Sequence, residues 1–369
     1  MPLKLSYSQV SKFGLCPKSY EYHYVKRIRP NVTHTALIFG SALDSALNDL
    51  LTGKDTAEVT FENSFTNTEI NNIKVYIPTH ENMVYANSDF DSDLLTENDF
   101  TFIETLIKDG RIQRYTDYLS TYKTLSEKKK SSGFDSLSIE EKRFYNLLNW
   151  LSLRRKGFLM LESYRKKVLP KIEKVHAVQQ YVDLENQEGD KITGYVDLIA
   201  DIKGYGTVIL DNKTSAREYD DDSVLTSPQL SLYLHILEDK FNTRKAGYIV
   251  MNKSVIKNRK KICSVCDHDG SGKNHKTCPN EINNKRCGGA WNETLDPEIF
   301  IQLIIDDIPQ QTENIVLENM DNTCQAIKHG VFSRNFTACK NTYGGLCPYF
   351  NLCFKNSSVG LLELPKGVR

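Results

Sequence analysis

No run of eighteen apolar residues occurs in the 369-residue chain, which excludes a hydrophobic membrane-spanning helix. The opening MPLKLSYSQV has neither the charged start nor the apolar core of a signal peptide, so an intracellular, cytoplasmic protein with no membrane partner is expected. Net charge is missing too: Lys+Arg and Asp+Glu stand at 47 each, so no global positive field exists and any nucleic-acid groove must be local. There is no P-loop, so any ATP-driven step has to come from another chain. Cysteine, by contrast, is present nine times. In a reducing compartment thiols serve as metal ligands more often than as disulfides.

The most informative stretch runs from Gly194 to Tyr233. A β-branched and aromatic run, Ile192 to Ile202, turns through Lys203-Gly204-Tyr205-Gly206 into a second run, Thr207 to Leu210, which predicts a β-hairpin. With the turn centred on Gly204 or Tyr205, Asp197 lies opposite Asp211 or Lys213. Asp211 and Lys213 are two apart and share a strand face. Ser227-Pro228 then reads as a helix start, with Gln229 and Tyr233 on one face and Leu230, Leu234 and Leu237 on the apolar one. Two carboxylates can hold a hard, partly hydrated divalent cation, and a neighbouring ammonium can orient a water against a phosphodiester. An isolated Asp-x-Lys is usually a solvated surface pair; the surrounding pattern argues otherwise here.

Gly-x-x-Asp, Asp-x-Lys-Thr and Gln-x-x-x-Tyr, in that order, resemble the RecB-like branch of the PD-(D/E)XK nucleases. The resemblance implies an α/β fold with a mixed central sheet of the restriction-endonuclease type. It also implies Mg²⁺ or Mn²⁺ on Asp197 and Asp211, water activation by Lys213, and support of the lysine and the nucleic acid by Gln229 and Tyr233. The family usually has Gly-x-x-x-His on an earlier helix, its histidine a metal ligand. Here Ala36 to Leu51 reads as that helix, and Gly40-Ser-Ala-Leu-Asp44 places an aspartate at the histidine position. Asp44 is either a hard-cation ligand or a residue on a solvated face.

Cys263, Cys266, Cys278 and Cys287 lie in a polar loop almost without apolar residues, which needs a staple. A tetrahedral Cys₄ Zn²⁺ site is expected, with His268 or His275 as substitute ligands. Near the end stands FTACKNTYGGLCPYFNLC. Cys16, in a Ser-x-Ser and Cys-Pro context, together with Cys339, Cys347 and Cys353 resembles the thiolate set of iron-sulfur RecB-like nucleases, including the CRISPR-associated adaptation family and phage exonucleases. This implies a [4Fe-4S] cluster tying the chain ends together. The seven residues between Cys339 and Cys347 depart from the usual two, which leaves Cys324 as an alternative ligand and zinc as an alternative metal.

Five segments follow: 1–52 with the first cluster cysteine and the motif helix, 53–170 as a helical lobe, 171–256 as the nuclease core, 257–294 as a zinc-ribbon-like insert, and 295–369 as a C-terminal helix and cysteine segment. Ile139 to Val168 reads as one or two helices whose Arg154, Arg155, Lys156, Arg165, Lys166 and Lys167 suit either a single-stranded backbone groove or ordinary amphipathic packing. Ile172 to Leu184 and Lys245 to Met251 are strand candidates, and Pro297 to Lys328 reads as helical. The expected activity is metal-dependent DNA hydrolysis, from single strands or free ends, in bacterial or phage recombination or repair, with a helicase or recombinase as partner. The alternatives are a non-catalytic nucleic-acid-binding or assembly subunit that kept the fold, and a structure-specific endonuclease working with a helicase.

Overall fold

A computed structural model of the chain describes residues 2–70, 73–85, 89–272, 274–283, 285–340 and 345–365. The elements that frame the motif residues are labelled in chain order. Strand β1 (Lys4–Ser6) leads into α1 (Tyr7–Leu15), whose cap is a reciprocal pair between Ser6 and Gln9. Helices α2 (Thr35–Leu51) and α3 (Ile139–Lys167) follow. Then come β2 (Ile172–Glu185), β3 (Lys191–Ile202), β4 (Gly206–Ser215), α4 (Pro228–Phe241), β5 (Lys245–Cys263), β6 (Trp291–Asp307) and α5 (Gln310–Lys328).

The hairpin forms where its sequence predicts. The β-branched runs are joined at Lys203-Gly204-Tyr205, with Gly204 and Gly206 at φ 82° and 75°, a region side-chain-bearing residues avoid. The central sheet is mixed, in the order β1-β3-β4-β5-β6, with β2 antiparallel to β3. Its faces are sorted by strand alternation: Leu210, Ile249 and Met251 face a layer built on α2 and α3, while Ile209, Tyr248 and Val250 face α4 and α5. Helix α3 is buried on most of its faces between Phe144 and Tyr164, and polar side chains there are tied down: Asn146 donates to the His80 and Met83 carbonyls and Trp150 Nε1 to that of Phe65.

Strand β3 is the hinge of the architecture. Along one edge β2 pairs with it from 172–202 to 185–191. The other edge is shared, β1 taking residues 191–193 in parallel and β4 taking 198–202 antiparallel. Residues 194–197 lie in the fork between them. The alternation slips at the same point, since Val196 and Ile199 both face the α4 layer while Leu198 and Ala200 face the α3 layer. Across the ladder Gln179, flanked by the pairs Val178–Leu198 and Gln180–Val196, has φ 51°, rare for a residue with a side chain.

One expectation is corrected and one open choice is decided. Residues 297–307 are strand, not helix: they continue β6, antiparallel to β5, and the helix begins only at Gln310, after Pro309. The run EIFIQLIIDD is rich in β-branched residues that alternate across the sheet, and this tertiary fit overrides the helical reading. The cations of α3 do not form an open groove. Arg154 makes a two-pronged pair with Glu62, Arg165 pairs with Glu58, Lys166 with Glu162 and Lys167 with Glu298, while buried Lys156 donates to the Asp89 carbonyl. Amphipathic packing explains them, with Arg155 the exception among the described residues.

Candidate active site

The fork in β3 brings the motif residues together. Asp197 turns into the gap and accepts a hydrogen bond from the backbone N–H of Asn212 at 2.8 Å, so its carboxylate fills the place where the β3–β4 ladder opens. Asp211 and Lys213 follow on the same face of β4, with Lys213 Nζ 2.5 Å from Asp211 Oδ2. Ser227 caps α4, its Oγ accepting from Leu230 N at 3.1 Å with Pro228 at the first helical position, and this aims the first turn at the strand ends. Gln229 then uses both ends of its amide. Its Oε1 accepts from Lys213 at 3.2 Å, and its Nε2 donates to Asp211 Oδ1 at 2.9 Å and to the Tyr233 hydroxyl at 3.1 Å.

Gly194 explains its place in the Gly-x-x-Asp motif. A Cβ there would lie 2.8 Å from Cε1 and 2.9 Å from the hydroxyl of Tyr233, so the bare backbone is what admits the ring. Gly194→Ala should displace Tyr233 and loosen Gln229, slowing cleavage roughly 10²-fold, as an ångström-scale misplacement does, at a stability cost of about 1–3 kcal/mol. A cleavage assay beside chemical denaturation checks this, and an unchanged rate would remove Tyr233 from the site.

Asp44 is not on a solvated face. The helix brings it beside Asp197, and Gln179 Nε2 lies between the two, 3.1 and 3.2 Å from the Asp44 oxygens and 3.2 Å from Asp197 Oδ1. Gln179 is the main residue that sequence reasoning missed. A lone glutamine in a strand carries no spacing signal, and its left-handed backbone is not written in residue type. Tyr7 was missed as well: burial and the neighbouring Tyr248 push its hydroxyl up to about 12, and it feels the charges of Lys213 and Asp211. Tyr164, on α3, donates to Asn212 at 3.4 Å.

Three carboxylates face one ammonium. Burial first, then the charge of Asp211, raises Asp44 to about 6; burial, Asp211 and Asp44 together raise Asp197 to about 8. Burial also raises Asp211, against the pull of Lys213. For Lys213 burial acts downward, but Asp211 and Asp197 outweigh it and the ammonium is held charged. If all three carboxylates ionise, the cluster carries two uncompensated negative charges on oxygen donors. One hard divalent cation fits that deficit.

The cysteines separate into two sets. Cys263, Cys266, Cys278 and Cys287 bring their sulfurs within 4.8 Å of one another, with Cys263–Cys287 and Cys266–Cys278 both at 3.6 Å. Tetrahedral zinc with Zn–S near 2.3 Å holds its sulfurs about 3.8 Å apart, so the set has the size of a one-ion site. The thiols suffice without the histidines: His268 packs near the Trp291 ring, and the His275 carbonyl accepts from Trp291 Nε1. The module closes tightly, since a Cβ at Gly289 would lie 2.6 Å from Cys263 Sγ.

Cys16, Cys339, Cys347 and Cys353 line one small cavity, and Cys324 is elsewhere, buried in the core against α4. Their sulfurs are not among the described groups whose donors all fall within 4.8 Å of each other. Residues 341–344, between Cys339 and Cys347, lie outside the described residues. The other compact group, His235, Glu238 and Glu313, already has a cation, because Arg244 pairs with both carboxylates.

Comparison with known proteins places the chain in a family. No curated protein matches the chain. Among solved structures, the crystal structure of SSO0001 aligns over 62% of this chain and 85% of its own at 14% identity, with a TM-score of 0.24, too low to bear on the fold. The family model of the PD-(D/E)XK nuclease superfamily matches residues 109–354, a span that takes in Asp197, Asp211, Lys213, Gln229 and Tyr233. The chain therefore belongs to the PD-(D/E)XK nuclease superfamily.

Proposed function

We propose that the protein is a metal-dependent deoxyribonuclease of the RecB-like branch, acting on single strands or free DNA ends. The observation that carries this reading is the Gln229 relay, which fixes the Lys213 ammonium against Asp211 beside the Asp197 carboxylate. Asp197, Asp211 and Asp44 would hold Mg²⁺ or Mn²⁺, which when bound supplies Lewis-acid polarisation of the phosphate and of a water. Lys213, kept protonated, orients the attacking water and stabilises charge growing on the phosphate oxygens. Gln229 keeps that ammonium from turning away, and Tyr233, held over Gly194, buttresses Gln229. Gln179 spaces Asp44 from Asp197. End-labelled single- and double-stranded DNA incubated with Mg²⁺ or Mn²⁺ tests the reading: stepwise shortening supports end-directed cleavage, internal cuts an endonuclease, and no cleavage a binding subunit.

In the same reading the Cys263 set holds structural zinc, and the Cys16 set a [4Fe-4S] cluster that fastens the chain ends. The support for the second is the interlock around the cavity, where Lys18 N donates to Ser333 O, Tyr349 donates to Ile28 O, and 361–363 pair with 28–30. Anaerobically purified protein is expected to be brown, with broad absorbance near roughly 400 nm from iron-thiolate charge transfer. Cys347→Ser should bleach it and expose the termini to protease, while Cys263→Ser should lose zinc and keep the colour. Zinc at both sites with no iron would overturn the cluster.

A further inference from the structure

The sheet beside the carboxylates carries an exposed pair of aromatic rings. Tyr181 on β2 and Tyr195 on β3 are direct cross-strand partners, their ring centroids 5.4 Å apart and their planes at 65°. They are 40% and 57% exposed. Their direction follows from their neighbours. Val182 and Val196, the next residue on each strand, are buried in the layer of α4, so both tyrosines turn to the opposite face, where α2 packs and carries Asp44. Two positions along each strand stand Gln179 and Asp197, the residues that meet there with Asp44. At a strand rise of about 3.3 Å the rings lie roughly 7 Å along the sheet from the level of Asp197. That is about two steps of a nucleic-acid strand at 3.4 Å each.

The fork in β3 leaves the pair uncrowded. β1 stops pairing at Thr193 and β4 starts at Leu198, so among the described residues no strand pairs with Tyr195 on that edge. The nearest polar partner is an acid, the Tyr181 hydroxyl donating to Asp183 at 3.4 Å. A carboxylate beside the rings argues against a phosphate seat at this spot, whereas ring faces open to water suit the uncharged faces of bases. A strand whose phosphate lies at Asp197 has its neighbouring bases within reach of the rings. Resting on the nuclease reading, we propose that Tyr181 and Tyr195 form a stacking platform for an unpaired base of the DNA strand, about two nucleotides from the phosphate at Asp197. Every base has a π-face, so the platform adds affinity for single strands without sequence preference.

The test separates bases from phosphates. Binding is measured by fluorescence anisotropy in chelator, with an oligo-thymidine strand of about 12 nucleotides and with an abasic strand of the same length, which keeps the phosphates and lacks the bases. Tyr181→Thr/Tyr195→Thr leaves strand-forming residues at both positions. It should bind the thymidine strand about 5- to 100-fold more weakly than wild type, the range for one stacked base. On the abasic strand the two proteins should bind alike, and the slope of log affinity against log salt should not change, because no phosphate contact is lost. Tyr181→Phe/Tyr195→Phe, which keeps the rings, should bind thymidine like wild type. No cleavage is needed, so the result stands even if the wild type cuts nothing and the nuclease reading falls. Equal affinity of wild type and the Thr variant for the thymidine strand overturns the proposal and returns the tyrosines to an ordinary cross-strand pair. An equal loss on both strands overturns it too, since the defect then lies in the phosphate path or the fold.

Discussion

Replacing Lys213 by alanine is expected to leave a folded protein that binds DNA and cleaves it roughly 10²–10⁴ times more slowly, the range for losing a positioned acid–base or charge-stabilising group. The fold tolerates the loss because Lys213 lies at the open end of β4, where its partners are Asp211 and Gln229 rather than core side chains. Asp197→Ala and Asp211→Ala should reach the same floor by a different route, since each removes a carboxylate oxygen donor. The distinction is measurable. Raising Mg²⁺ or Mn²⁺ should recover part of the activity of an Asp44→Ala protein, which loses one donor of three, and none of the activity of Lys213→Ala. Near-wild-type cleavage by any of Asp197→Ala, Asp211→Ala or Lys213→Ala would remove that residue from the site.

Asp197→Asn should make the metal-free protein more stable at pH 8 while destroying its activity. Asp197 is raised to about 8 and Asp44 to about 6, above the ordinary carboxylate range near 4. Between these values the folded state binds more protons than the unfolded state, so stability falls as pH rises from about 4 to 8. This is the reverse in sign of a salt-bridged aspartate, whose contribution grows as pH rises toward about 4 and is constant above it. Asparagine keeps an oxygen to accept from Asn212 N and cannot ionise. Its stabilising effect should therefore be close to full at pH 8, a rise of a few degrees in Tm, and close to nil at pH 3, where Asp197 is protonated in the folded and the unfolded chain alike. Mg²⁺ should stabilise the wild type at pH 8 and not the variant, with protons released on binding. Equal destabilisation of the variant at both pH values would show that Asp197 is not held under charge repulsion.

Much of this site is legible in the sequence because its parts are local. The hairpin puts Asp197, Asp211 and Lys213 within one supersecondary unit, and the helix signal at Ser227-Pro228 gives the direction in which Gln229 and Tyr233 point. The Cys₄ module is legible for the same reason, its ligands falling within 25 residues. What was not legible depends on distant chain. Gln179 matters because it meets Asp44 from 135 residues away on a strand whose backbone turns left-handed at that residue. The basic residues of α3 could not be told from a DNA groove until Glu58, Glu62 and Glu298 were seen beside them. Residues 297–307 read as helical because the apolar residues between Ile299 and Ile305, broken only by Gln302, fit either period, and only the partner strand decides.

The shared edge of β3 also sets an order of assembly. β1 is synthesised well before its partners, residues 191–193, and Leu3 N is held by the side chain of Asp190. Helix α1, which follows it directly, packs against α5, made some 300 residues later. Residues 3–15 must therefore wait, undocked, until these later segments are made, a high contact order that favours slow, late closure. Tyr7 and the rim of the fork arrive with it. A nascent chain still emerging from the ribosome has its hairpin carboxylates in place but not the wall that completes their surroundings.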